Sequence, residues 1–147
     1  MRRFVASSFG LGLIPRRLWG SDSGAGTFGA ALAAAIALPL MDKPLWGTVA
    51  AVVAIAASMW ASAPFADGDP GWVAIDEVAG TLVALIGLTW IPWLVALVVA
   101  RVADITKALP GIKKAESLPG ALGVTADDVL AGLYGLAAGW ILMGLGA

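Results

Sequence analysis

Four apolar stretches separated by short polar breaks dominate the chain: residues 28–41, 45–63, 78–100 and 129–147. Each reads as helix, because the runs are too long and too rich in alanine and leucine for strands. The first break is the tight polar turn Asp42-Lys43-Pro44. The second, residues 64–75, is rich in Asp, Gly and Pro and includes Asp69. The third, residues 101–128, carries four of the nine basic residues. The pattern predicts an all-α protein, an integral membrane bundle of four to five apolar helices in one domain over residues 1–147.

The third stretch is long enough to cross a bilayer once, yet Thr89-Trp90-Ile91-Pro92-Trp93 lies in its middle. Proline removes a backbone donor and clashes with the preceding turn, and tryptophans favour a membrane–water boundary. Two readings follow. A single span puts Asp76 and Asp104 on opposite sides. A hairpin of helices over 75–88 and 92–107 puts them at one end of a five-helix up-down bundle. In the hairpin, every basic residue except Lys43 falls at that same end, which the positive-inside rule assigns to the cytoplasm. Against it, a helix of about 15 residues reaches only about 22 Å, short of a core of about 30 Å. The charge asymmetry favours the hairpin.

Composition sharpens the membrane reading. Apolar residues make up 60% of the chain and charged residues 13%, about half the charged share usual in soluble domains. Mean hydropathy is +0.90. The net charge of −1 gives no reason to expect a nucleic-acid partner. The segment Met1-Arg2-Arg3-Phe4 lacks a long apolar run behind it and reads as a cytoplasmic arm rather than a signal peptide.

The chain contains no histidine and no cysteine, so imidazole bases, thiol nucleophiles and soft-metal sites are excluded. What remains is carboxylate chemistry. Asp76, Glu77, Asp104, Asp127, Asp128 and, less clearly, Asp69 stand at the edges of apolar segments. Asp76-Glu77 can serve simply as first-turn acids of a helix, and Thr125-Ala126-Asp127-Asp128 is spaced like a capping box. Two acidic pairs plus Asp104 at one end of a bundle point further, because like charges held together need a cation or a proton. Oxygen ligands alone suit a hard ion such as Mg²⁺. Arg101, Asp104 and Lys107 share one helical strip, either as a self-neutralising stripe or with the two cations meeting a phosphate. Lys113 and Lys114 suit anionic headgroups. Trp46, Trp90 and Trp93 on one side, and Trp19 and Trp72 on the other, read as interfacial belts. The segment Gly24-Ala25-Gly26-Thr27-Phe28-Gly29 opens a helix whose first amides can cradle an anion.

At these residues the chain resembles the phosphatidylglycerophosphatase A family. Gly26-Thr27-Phe28-Gly29 is similar to that family's Pro-Gly-Thr-x-Gly segment, and Ile75-Asp76-Glu77-Val78-Ala79-Gly80 to its Asp-Glu-x-x-Gly block. A third block runs from Arg101 to Gly132 through Asp104, Lys107, Pro110, Gly123 and Asp127-Asp128. Ala25, Ala30 and Ala108 depart from the family's usual proline, serine and proline. The resemblance implies a Mg²⁺-dependent phosphatase in the bacterial inner membrane, with its site facing the cytoplasm. It would convert the anionic phospholipid phosphatidylglycerophosphate to phosphatidylglycerol and inorganic phosphate.

The expected metal ligands are Asp76, Asp104, Asp127 and Asp128, with Asp76, Asp128 and Glu77 catalytic and Glu77 the candidate base. Thr27, Arg101 and Lys107 are expected to bind substrate. The alternatives are a small cation carrier or channel built on the same carboxylates, and a phosphatase of another lipid phosphate. A phosphatidyltransferase is disfavoured because its Asp-Gly-x-x-Ala-Arg block is absent. Gly- and Ala-rich faces such as 132–139 permit a homo-oligomer, or close packing within one bundle.

Overall fold

The computed structural model describes residues 1–68 and 70–146; Asp69 and Ala147 lie outside the described residues. Among the described residues there are eight α-helices and no strand. They are α1 (Arg2–Ala6), α2 (Ile14–Trp19), α3 (Ala25–Ala37), α4 (Pro44–Ser62), α5 (Ile75–Ala84), α6 (Trp90–Thr106), α7 (Ile112–Glu116) and α8 (Ala121–Gly144). α4 and α8 are long and apolar enough to cross a membrane by length and composition; α3 with its following turn is a shorter apolar helix.

The long apolar stretch at 78–100 is broken. α5 ends at Ala84, the chain turns through Leu85–Thr89, and α6 starts at Trp90. Gly87 takes φ +67° in this turn and packs against Pro44 and Trp140, each 3.1 Å from where a Cβ would stand. The indole N–H of Trp140 donates to the Ile86 carbonyl at 3.2 Å. Arg101, near the end of α6, forms an ion pair with Glu77 at the start of α5. The two helices are therefore antiparallel, and Asp76 and Asp104 lie at the same end.

The other long helices follow from their contacts. Ser58, late in α4, shares a 2.8 Å hydrogen bond with Thr125, early in α8, whereas Gly47 near the start of α4 meets Ile86. α4 thus runs toward the acidic end and α8 away from it. α3 starts beside Glu77, where Gly26 and Gly29 abut it, and runs away. The result is an alternating order of α3, α4, α5, α6 and α8.

Small residues set how closely these helices approach. A Cβ on Gly132 would strike the Gly80 carbonyl, and one on Gly80 would strike the Asp128 carbonyl, so α5 and α8 touch backbone to backbone. Gly135 meets the Ala96 carbonyl and Ala100 of α6; Gly139 meets Leu88 and the Pro92 carbonyl. These glycines are used inside the bundle, in the manner of membrane helix pairs. Large apolar side chains point outward instead. Ile91, Leu94, Val98, Val102 and Ile105 form an exposed stripe along α6, and Leu45, Trp46, Val49, Val52 and Val53 do the same on α4.

Three expectations need correction. α8 begins at Ala121, so Asp127 and Asp128 sit within the helix rather than at its cap, and the Thr125 hydroxyl is bonded to Ser58 instead. Trp93 is buried in the bundle and belongs to no belt. Trp72 is also buried, edge-on to Phe65 and under the Arg3 guanidinium.

Candidate active site

Three helix ends carry the acids to one place. The first turn of α5 supplies Asp76 and Glu77, and an Asp76 carboxylate oxygen accepts the Glu77 amide at 3.0 Å. The last turns of α6 supply Arg101 and Asp104. The second turn of α8 supplies Asp127 and Asp128, whose neighbouring positions point about 100° apart around the helix. Asp76, Asp104, Asp127 and Asp128 are each at most 9% exposed.

Lys107 closes the arrangement. It caps α6 in the left-handed region at φ 50°, and its amide donates to the Ala103 carbonyl at 2.9 Å. An α-helical continuation would carry its side chain on around α6; the reversal lets the ammonium reach Asp104 at 2.9 Å and Asp127 on α8. Burial alone would lower the Lys107 pKa, but its hydrogen bonds to Asp127 and Asp104 outweigh burial and raise it above the usual lysine value.

Arg101 bridges Glu77 and Asp104, the latter at 3.0 Å. One oxygen each from Glu77, Asp104 and Asp128 lie within 4.8 Å of one another. Five carboxylates thus meet two cations at one end of the bundle. Taken ionised, they leave negative charge in excess, an arrangement unfavourable without a bound cation or proton. One Asp127 oxygen is buried with no hydrogen-bond partner, although the other is held by Lys107. Convergent oxygens with uncompensated charge are a donor set that fits a hard divalent cation such as Mg²⁺.

The acids line a pocket of about 370 Å³, with Lys107, Gly26, Gly71, Glu116 and Gly120 also in its wall. Arg101 does not line it and stands behind Glu77 and Asp104. Thr27 is exposed on α3 and also lies outside the lining. Its neighbour Gly26 is what reaches the site: a Cβ there would collide with the Glu77 carboxylate and stand 3.2 Å from Arg101. Sequence reasoning singled out the glycine segment as an anion cradle and missed this close-packing role. It also missed Glu116, which carries no motif and lines the pocket from the end of α7.

A family description, phosphatidylglycerophosphatase A, matches residues 4–143. The chain belongs to the phosphatidylglycerophosphatase A family. The match runs from the N-terminal arm to the last turn of α8 and includes every acid of the pocket. A protein of Bacteroides thetaiotaomicron, provisionally named a phosphatidylinositol-3-phosphatase, is 33% identical over 144 residues, covering 88% of this chain and 86% of its own. No solved structure matches. Family and relative together support a lipid phosphatase and leave the lipid to be decided at the pocket.

Proposed function

We propose that the chain is a multi-pass membrane enzyme that hydrolyses phosphatidylglycerophosphate to phosphatidylglycerol and inorganic phosphate, with Mg²⁺, at the cytoplasmic face of the bacterial inner membrane. The observation that carries this reading is the convergence of Glu77, Asp104 and Asp128 beside Lys107 in one pocket. The outward apolar stripes of α4 and α6 favour a lipid surround. The placement of all basic residues but Lys43 at the site end favours a cytoplasmic pocket.

Glu77, Asp104 and Asp128 would hold the ion, with Asp76 completing the set. A bound Mg²⁺ neutralises phosphoryl oxygens and lowers the cost of forming a nucleophile from water. Lys107 supplies positive charge to the phosphoryl group as it transfers. Arg101 holds Glu77 and Asp104 in register rather than touching substrate. Asp127, held on one oxygen by Lys107 and outside the Glu77, Asp104 and Asp128 set, is the carboxylate left to take the proton of the attacking water. That water forms the new P–O bond, the bond from phosphorus to the glycerol oxygen breaks, and the glycerol oxygen leaves with the proton that Asp127 took from the water.

A phosphatase of another lipid phosphate is the second reading, favoured by the name of the Bacteroides relative. Both fit the family better than a cation carrier does. The deciding experiment measures phosphate release by purified protein from phosphatidylglycerophosphate and from phosphatidylinositol 3-phosphate, with Mg²⁺ and then with EDTA. Metal-dependent release from the first lipid alone establishes the proposal; release from the second alone replaces it.

A further inference from the structure

The first twenty residues contain four arginines and no acid, and the catalytic reading uses none of them. They pack on the site end of the bundle. The Arg2 guanidinium lies 5.3 Å from the Trp60 ring centroid and that of Arg3 5.3 Å from Trp72. The Ala74 amide donates to the Ala6 carbonyl at 2.9 Å, and Gly12 sits against the Trp72 carbonyl. The arm is thereby fixed to the loop whose Gly71 and Val73 line the catalytic pocket.

What the arm presents outward is both apolar and cationic. Phe4, Phe9, Leu18 and Trp19 are all more than half exposed. Ser8 and Phe9 take φ 50° and 60°, a region unfavourable for side chains with a Cβ. This turn sends Ser8 inward, where it is fully buried, and Phe9 outward, edge-on to Phe4 with ring centroids 5.5 Å apart. A groove of about 640 Å³ runs beside the pair, lined by Arg3, Phe4, Phe9, Leu11, Ile14 and Arg17. Arg16 is two-thirds exposed, and its contact with Asp22 is a loose 4.0 Å.

We propose that this arm is a docking surface for the anionic phospholipid surface around the enzyme, separate from the catalytic pocket. Headgroup phosphates meet Arg3, Arg16 and Arg17, while Phe4, Phe9, Leu18 and Trp19 enter the glycerol and upper acyl layer. Aromatic and cationic groups combined in this way suit the interfacial zone. The two pockets share no lining residue, so the surface binds bulk lipid rather than substrate. The inference rests on the membrane reading above but not on the choice of substrate.

The absence of cysteine permits a clean test. Leu18→Cys carries an environment-sensitive fluorophore, and the protein is placed in phosphatidylcholine discs with or without phosphatidylserine. Apolar emission and protection from an aqueous quencher are expected with phosphatidylserine, and reversal by high salt. Arg16→Gln combined with Arg17→Gln should shift the arm toward water about 25-fold, with phosphate release in detergent unchanged. Phe4→Ser with Phe9→Ser should also expose the label, with all four charges kept. Equal emission in both discs, or emission unaltered by either pair of substitutions, overturns the proposal. Protein that stays outside the discs overturns the spanning reading instead, and the same label then reports whether the arm binds vesicles of that composition.

Discussion

Lys107 and Asp127, twenty residues apart, form an ion pair that ties the cap of α6 to the second turn of α8. The same ammonium holds Asp104, so a single cation organises carboxylates from two helices. Lys107→Ala should lower kcat by about 10²–10³-fold, as removal of one charge-stabilising donor does. Steady-state phosphate release checks this. Lys107→Arg should recover only part, because a planar fork cannot meet both acids as a compact ammonium does.

The raised pKa of Lys107 has its own signature. A raised folded-state value means the pair stabilises the protein fully below the ordinary lysine pKa of 10.5 and loses that contribution only as pH climbs through the higher folded value. Thermal stability of wild type minus Lys107→Met should therefore stay constant from neutrality to about pH 10. A difference that collapses near pH 8 would contradict the ion pair.

Asp128→Asn and Asp104→Asn should each reduce turnover by about 10³-fold or more and weaken Mg²⁺ binding, while helical circular dichroism is retained. Removing the metal from wild type with EDTA should abolish release, and added Mg²⁺ should restore it. Full activity in either variant would sink the ligand assignment.

Gly26→Ala places a methyl group where the Glu77 carboxylate stands. Activity should fall by about tenfold or more and stability by about 1–3 kcal/mol, as for overpacking elsewhere. Thr27→Ala, one residue on, should change neither by much, because that side chain is exposed. The contrast between adjacent positions is read in one activity assay and one melt.

Ser58→Ala leaves the buried Thr125 hydroxyl without its 2.8 Å partner and should cost about 1–3 kcal/mol. Combining it with Thr125→Val should recover much of that loss, since both polar ends are then removed.

The sequence revealed the bundle most clearly where chemistry is local. Pro92 between two tryptophans marked the break between α5 and α6, and Asp76-Glu77 fell in the first turn of α5 as expected. The start of α8 was misjudged because Asp127 and Asp128 interrupt the apolar run, although helix continues seven residues upstream to Ala121. Thr125 resembles a cap in sequence, but its partner, Ser58, is 67 residues away. Trp72 and Trp93 looked like belt residues because indole suits either an interface or a core, and only tertiary packing decides which. Glu116, and the packing of Gly26 against Glu77, were invisible for the same reason: both depend on distant atoms.

The glycines of α8 impose a rule on chain length. Gly132, Gly135 and Gly139 fit against α5 and α6 only at their present azimuth, and Asp127 and Asp128 are read out from that azimuth four to five residues earlier. One residue inserted between Asp128 and Gly132 would turn both acids about 100° relative to the seam. Asp128 would leave its companions and Asp127 would leave Lys107, even with every side chain intact. Val129 and Leu130, which lie between the acids and the seam and are each only partly buried, should therefore tolerate substitution better than an inserted residue beside them.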